Sequence, residues 1–211
     1  MKRKIGIMGG TFHPIHYGHL IIAENAYEQY HLDQVIFMPT GHAPHKSFSG
    51  DEMTKHRCEM VRLSIEDNPH FSLSLREAER ERTTYTYQTL ETLHSEYPEA
   101  EIYFILGADS LYNFNTWAHP ERICEQAVIL AAVRDNLTER RVDEMITELR
   151  EQYGARVHRI NTPNFNVSSA SIRERAERGQ TIRYLLPPVA EKYILDHNLY
   201  RQKDSGQNFS V

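Results

Sequence analysis

Cysteine is scarce: Cys58 and Cys124 are the only two in 211 residues, and neither sits in a C-x-x-C or Cys/His spacing. That leaves no framework for a disulfide scaffold or a structural zinc site, and packed or surface thiols in a reducing compartment are the expectation. An excess of basic residues is also lacking, since 24 Lys and Arg against 29 Asp and Glu give a net charge of -5. A protein that grips a long nucleic acid neutralises many phosphates at once, so this balance excludes a broadly basic face. A small anionic ligand needs only a local patch. No uncharged apolar stretch approaches the roughly 18 residues of a membrane-spanning helix. The apolar run behind Lys2, Arg3 and Lys4 ends at Met8 before two glycines, too short for the core of a secretion signal. A cytoplasmic protein that meets neither a membrane nor a nucleic acid polymer is expected.

What is present is an alternation. Short apolar runs recur at KIGIMG, QVIFMP, FSLSL, IYFILGA, AVILAAV and RVHRIN, the last around Val157. Between them, residues 17–29, 54–67, 85–96 and 138–152 carry apolar positions at spacings of three and four. This is the pattern of a parallel sheet with crossover helices, in which ligands collect beyond the carboxyl ends of the strands. Residues 1–200 are expected to form one domain, with a small helical part over about 168–200 and a disordered tail over 201–211. The segment Thr40–Glu52 has neither period and reads as a loop.

The sharpest motif follows the first strand: Gly9-Gly10-Thr11-Phe12-His13-Pro14-Ile15-His16-Tyr17-Gly18-His19, running into a helix. Glycines let backbone approach an anion, and a helix start offers unpaired N–H groups with partial positive charge. His16 and His19, three apart, share a helix face and can both donate to phosphate oxygens. Neither the G-x-G-x-x-G dinucleotide fingerprint nor a Walker A pattern is matched, which disfavours hydride transfer and P-loop chemistry.

The motif resembles GGTFxPxHxGH, the signature of the HxGH-type adenylyl- and cytidylyltransferases, and it implies a Rossmann-like doubly wound sheet. Val167-Ser168-Ser169-Ala170-Ser171-Ile172-Arg173 resembles the family's second segment, [IV]SSTxIR, with alanine where threonine is usual. Serines there cap backbone donors and an arginine one turn in supplies a fork for phosphate. With PHK at Pro44–Lys46, TYTYQTL from Thr84, YFILGADS from Tyr103 and Trp117, the likeness narrows to bacterial nicotinate-nucleotide adenylyltransferases.

The resemblance implies ATP and nicotinate mononucleotide as partners, with magnesium arriving on the triphosphate and no metal ligand from protein side chains. It implies His16 and His19 as catalytic residues, and an ATP site of Gly9, Gly10, Thr11, Phe12, His16, His19, His45, Lys46, Gly107, Asp109, Arg134, Ser168, Ser169 and Arg173. Asp109 would take ribose hydroxyls, or simply cap a helix. Thr86, Tyr112 and Trp117 would receive the pyridine nucleotide, Trp117 by stacking, although a lone tryptophan also suits a core. Where the family usually has aspartate, this chain has His13, which can donate or carry positive charge. Nicotinamide mononucleotide or phosphopantetheine as acceptor, or a nucleotide sensor without turnover, stay open at this point. A homodimer is compatible with the sequence, which itself fixes no oligomeric state.

Overall fold

The computed structural model describes residues 2–41, 51–80, 83–132, 136–163 and 166–201. His45, Lys46, Arg134 and the expected tail from residue 202 lie outside the described residues. The six apolar runs are six strands: β1 Lys4–Gly10, β2 Gln34–Pro39, β3 Phe71–Leu73, β4 Glu101–Gly107, β5 Val128–Ala132 and β6 Val157–Ile160. All pair in parallel, in the order β3-β2-β1-β4-β5-β6.

Both faces of the sheet are covered, and the period-2 alternation of the strands shows how. In β4, Tyr103 and Ile105 pack against α1 (Tyr17–Tyr30), α2 (Asp51–Ile65), α7 (Ser169–Glu177) and α8 (Pro188–Asp196). Ile102, Phe104 and Leu106 point the other way, against α3 (Thr86–Glu96), α4 (Ala108–Tyr112), α5 (Pro120–Gln126) and α6 (Asn136–Tyr153). Strands buried on both sides must be apolar throughout, which is why β5 reads VILAA with every residue buried.

The chain leaves β1 in one direction through α1 and α2, then crosses back to β4 and builds outward the other way. Consecutive parallel strands need right-handed crossovers, so reversing direction moves the helices to the opposite face. Between β1 and β4 the connections part, and a crevice opens at the carboxyl ends of those two strands. The helical pattern of the sequence covers α1, α2, α3 and α6. It does not reveal α4, the 3-10 turn Phe114–Thr116 or α5, because each spans two turns or fewer and is tied down by only one or two apolar residues: Ala108 with Leu111, Phe114, and Ile123 with Cys124. Among the described residues no helix is long and apolar enough to cross a membrane.

Candidate active site

A cavity of about 1000 Å3 lies at that crevice, lined by Ile7–Gly10 of β1 and Phe104–Gly107 of β4. The loop from Thr11 to His16 forms one border. Phe12 takes a backbone φ of 47°, a left-handed conformation that costs a bulky residue about 1–3 kcal/mol. Its ring is only 1% exposed, and burying a phenylalanine contributes about 1.5–3 kcal/mol, enough to offset the strain. The Phe12 ring packs so closely on Gly10 that a Cβ there would meet it at 3.1 Å and force the ring to shift by a few tenths of an ångström.

Two guanidinium groups hold this loop by its carbonyls. Arg57 of α2, fully buried, donates from Nη1 to Thr11 O and from Nη2 to Thr40 O at 2.7 Å and Thr54 Oγ1 at 3.1 Å. Arg173 of α7 donates from Nη1 to His13 O at 2.6 Å, and Ser169 Oγ donates to Pro14 O at 2.8 Å. The two motifs are thereby docked on one another across 160 residues of chain. From the C-terminal part, Tyr200 sets its ring edge-on to His13, centroids 5.1 Å apart, and its buried hydroxyl has no hydrogen-bond partner among the described residues. Burial drives the Tyr200 phenol well above its usual range, with Arg173 and Arg57 opposing the shift, so it stays neutral.

Two helices start at the cavity. His16 is the N-cap of α1, 2% exposed, and its backbone N–H donates to His19 Nδ1 at 3.3 Å. A neutral imidazole that accepts at Nδ1 carries its proton on Nε2, so His19 offers a donor from the far side of the ring. The two rings lie 3.8 Å apart at 31°. At α7, Ser168 Oγ accepts from Ser171 N at 3.1 Å and Ser171 Oγ accepts from Ser168 N at 3.3 Å, a reciprocal cap. Ala170 is exposed and does not line the cavity, so the missing threonine hydroxyl falls outside it.

The cavity gathers Gly9, Gly10, Thr11, Phe12, His16, His19, Gly107, Asp109, Ser168, Ser169 and Arg173, together with Thr86 and Trp117. Asp109 is the second residue of α4, whose N-cap is Gly107, so it is not a cap. Trp117 both lines the cavity and packs on Phe114 at 5.5 Å and Phe104 at 6.1 Å. Tyr112 does not line it; its ring lies under the Arg141 guanidinium, 4.4 Å from the centroid. Among the described residues no group of three or more His, Cys, Asp or Glu side chains is placed to hold a metal ion.

Sequence reasoning passed over Arg57 and Glu77. Arg57 could have been noticed, because it sets a charge in the inward stripe of α2 formed by half-buried Met53 and buried Met60, Val61 and Ser64. Glu77 follows β3 in a segment without periodicity and gave no signal. The residue lines the cavity at 8% exposure, and its carboxyl accepts from Thr89 Oγ1 at 2.7 Å. Its backbone oxygen presses on Gly41, where a Cβ would approach within 2.3 Å.

Similarity to known proteins agrees with this architecture. The model of the cytidylyltransferase-like family matches residues 7–175. A curated relative from Lachnoclostridium phytofermentans, named "Probable nicotinate-nucleotide adenylyltransferase", is 46% identical over 198 residues, covering 94% of this chain and 99% of the relative. One of the same name from Exiguobacterium sibiricum is 42% identical, covering 93% and 98%. In fold, the chain superposes with a TM-score of 0.77 on the Plasmodium falciparum nicotinic acid mononucleotide adenylyltransferase complexed with NaAD, at 21% identity, covering 94% of this chain and 97% of that one.

Desolvation raises the Glu77 carboxyl above its ordinary 4.5, although the Thr89 hydroxyl and Arg80 pull it back. A raised folded-state value means stability that is complete below pH 4.5 and lost as pH rises through the folded value. Glu77→Gln keeps the acceptor for Thr89 and removes the titration. Thermal midpoints of the two proteins should therefore diverge in favour of Gln as pH rises from 4.5 toward neutrality. A constant offset at every pH would show that Glu77 does not titrate in this way.

Proposed function

The chain belongs to the cytidylyltransferase-like family and, within it, to the nicotinate-nucleotide adenylyltransferases, and we propose that its cavity joins ATP to nicotinate mononucleotide, releasing pyrophosphate and forming nicotinate adenine dinucleotide. One observation carries this reading. The starts of α1 and α7, an imidazole pair, Arg173, the start of α3 and an aromatic ring all border a single cavity.

The acceptor's phosphate is a monoester with a second pKa near 6, so it is largely dianionic at pH 7 and needs no protein base. An oxygen of that phosphate attacks the α-phosphorus of ATP; the new P–O bond forms as the bond to the bridging oxygen breaks, and pyrophosphate leaves with the electron pair. The protein's work is alignment and charge. In this reading Gly9, Gly10, Thr11 and Phe12 offer backbone to the triphosphate, and His16 and the Nε2 donor of His19 serve the oxygens that gather charge. Ser168, Ser169 and Arg173 close the other end of the phosphate chain, with His45, Lys46 and Arg134 assigned to it by family likeness. Gly107 and Asp109 take the adenosine.

A site of imidazoles, hydroxyls and one guanidinium, with Asp109 exposed and Glu77 biased toward its neutral form, is a poor cage for a bare hard cation. It suits magnesium that is already held by phosphate oxygens and its own water, where it would offset phosphate charge. For the acceptor, α3 begins at Thr86 behind Tyr85, an N-cap whose side chain makes no capping bond. In its first turn the Gln88 N–H already donates to Tyr85 O at 3.0 Å, whereas the N–H groups of Thr86 and Tyr87 have no acceptor within the helix, which supports carboxylate recognition by backbone near Thr86. The side chain of Tyr112 lies away from the cavity, so any part it takes is through its backbone. Both cysteines are free thiols, which supports a cytoplasmic setting.

Two variants test the assignment. His16→Ala and His19→Ala should each lower kcat by about 10²-fold, as loss of an oxyanion donor does. Near-normal turnover in both would remove the pair from the chemistry. Trp117→Ala should weaken nicotinate mononucleotide binding by about 5- to 30-fold while leaving ATP affinity unchanged, given the worth of a stacking platform. Because Trp117 also packs on Phe104 and Phe114, the thermal midpoint belongs in the same experiment. A fall in stability with unchanged acceptor affinity would make it a packing residue only.

A further inference from the structure

The reaction described above leaves Arg57 without a task, yet its placement is costly. Arg57 is 0% exposed, and its three hydrogen bonds end on neutral oxygens, those of Thr11, Thr40 and Thr54. No carboxylate among the described residues forms an ion pair with it, and its Nε is buried without a hydrogen-bond partner there. A buried cation that lacks a counter-ion is expensive to keep, and breaking such a charge's few contacts costs more still. Desolvation accordingly lowers its proton affinity below the usual arginine range. Fixing a loop requires only neutral donors. A full charge has to be explained otherwise.

The group that Arg57 grips supplies the explanation. Thr11 O belongs to the Thr11–Phe12 peptide, in the loop that borders the cavity and directly after Gly10. That peptide is trans, so the Phe12 N–H points opposite to the carbonyl, away from the guanidinium. A cation on the carbonyl polarises the amide and strengthens its N–H as a donor. Its field also crosses one peptide layer of low dielectric, where little screens it.

We infer that Arg57 is an electrostatic positioning residue for the polyphosphate: a buried cation, one peptide behind the loop that borders the cavity, whose counter-ion is the bound anion itself. It touches no substrate atom and acts through Thr11 and Phe12. This rests on reading the cavity as the triphosphate site, and it adds a residue to which neither the sequence motifs nor family likeness assigns a role.

The test separates charge from scaffolding. Calorimetric binding of inorganic tripolyphosphate and of uncharged adenosine is measured on the unaltered full chain, on Arg57→Met and on Arg57→Lys. Arg57→Met should lose about tenfold in tripolyphosphate affinity, the equivalent of about 1.4 kcal/mol, with adenosine changed by less than about twofold. Arg57→Lys, which keeps the charge and loses the fork, should stay within about threefold of the unaltered chain for tripolyphosphate. If Arg57→Met fails to fold, Arg57→Lys decides alone, because a purely structural fork predicts that it too loses about tenfold or more. The inference is overturned if Arg57→Met binds tripolyphosphate as well as the unaltered chain, or if both ligands weaken in parallel, or if Arg57→Lys loses as much as Arg57→Met. Turnover of ATP with nicotinate mononucleotide by the unaltered chain is recorded alongside. Its absence would contradict the proposed reaction, whereas normal turnover with equal tripolyphosphate affinities would contradict only the role of Arg57.

Discussion

The segment between β1 and α1 must present backbone to an anion and yet not move, and the structure meets both demands by holding the segment from behind. Arg57 takes the carbonyl of Thr11, Arg173 that of His13, and Ser169 that of Pro14. Phe12, strained at φ 47°, packs its ring closely on Gly10 and against Phe37, centroids 5.8 Å apart. Carbonyls engaged behind the loop are kept from repelling phosphate, and a loop fixed before binding loses little entropy when the ligand arrives. The rest of the architecture follows from this arrangement, since α2 and α7 must both reach the end of β1, and they do so from the same face of the sheet.

Charge is distributed with similar economy. A chain of net charge -5 that handles two anionic nucleotides cannot rely on its surface as a whole. The positive elements are instead concentrated at the crevice: two helix starts, an imidazole pair and two guanidinium groups. Glu77, which lines the same cavity, is pushed by burial toward its neutral form, in which it does not oppose an anion. Tyr200, buried beside the same loop, likewise stays neutral.

Much of this was legible in the residues. The four inner strands β1, β2, β4 and β5 are buried on both faces, and that requirement writes itself into the sequence as continuous hydrophobicity, while the edge strands β3 and β6 are only partly buried and show as shorter runs. The GGTFHPIHYGH and VSSASIR segments stood out for a related reason: helix starts with glycine, histidine and serine have few structural substitutes. The short helices after β4 escaped because one or two apolar anchors make no period, and Glu77 escaped because nothing local distinguishes a buried carboxyl from a solvated one. Arg57 lay between the two cases. Its position in an apolar stripe was visible, but its meaning depended on Thr11 and Thr40, which only the fold brings to it. His45, Lys46 and Arg134 rest on likeness alone, since they lie outside the described residues.

The acceptor is where the proposed reaction is most exposed to refutation, because the triphosphate half of the site would serve any related nucleotidyltransferase. Pyrophosphate release should be measured with ATP and magnesium while nicotinate mononucleotide, nicotinamide mononucleotide and phosphopantetheine are offered one at a time. A cavity with backbone donors at the start of α3 and an aromatic wall at Trp117 predicts a kcat/KM for nicotinate mononucleotide at least about tenfold above either alternative. An equal or higher value with nicotinamide mononucleotide or phosphopantetheine would contradict it.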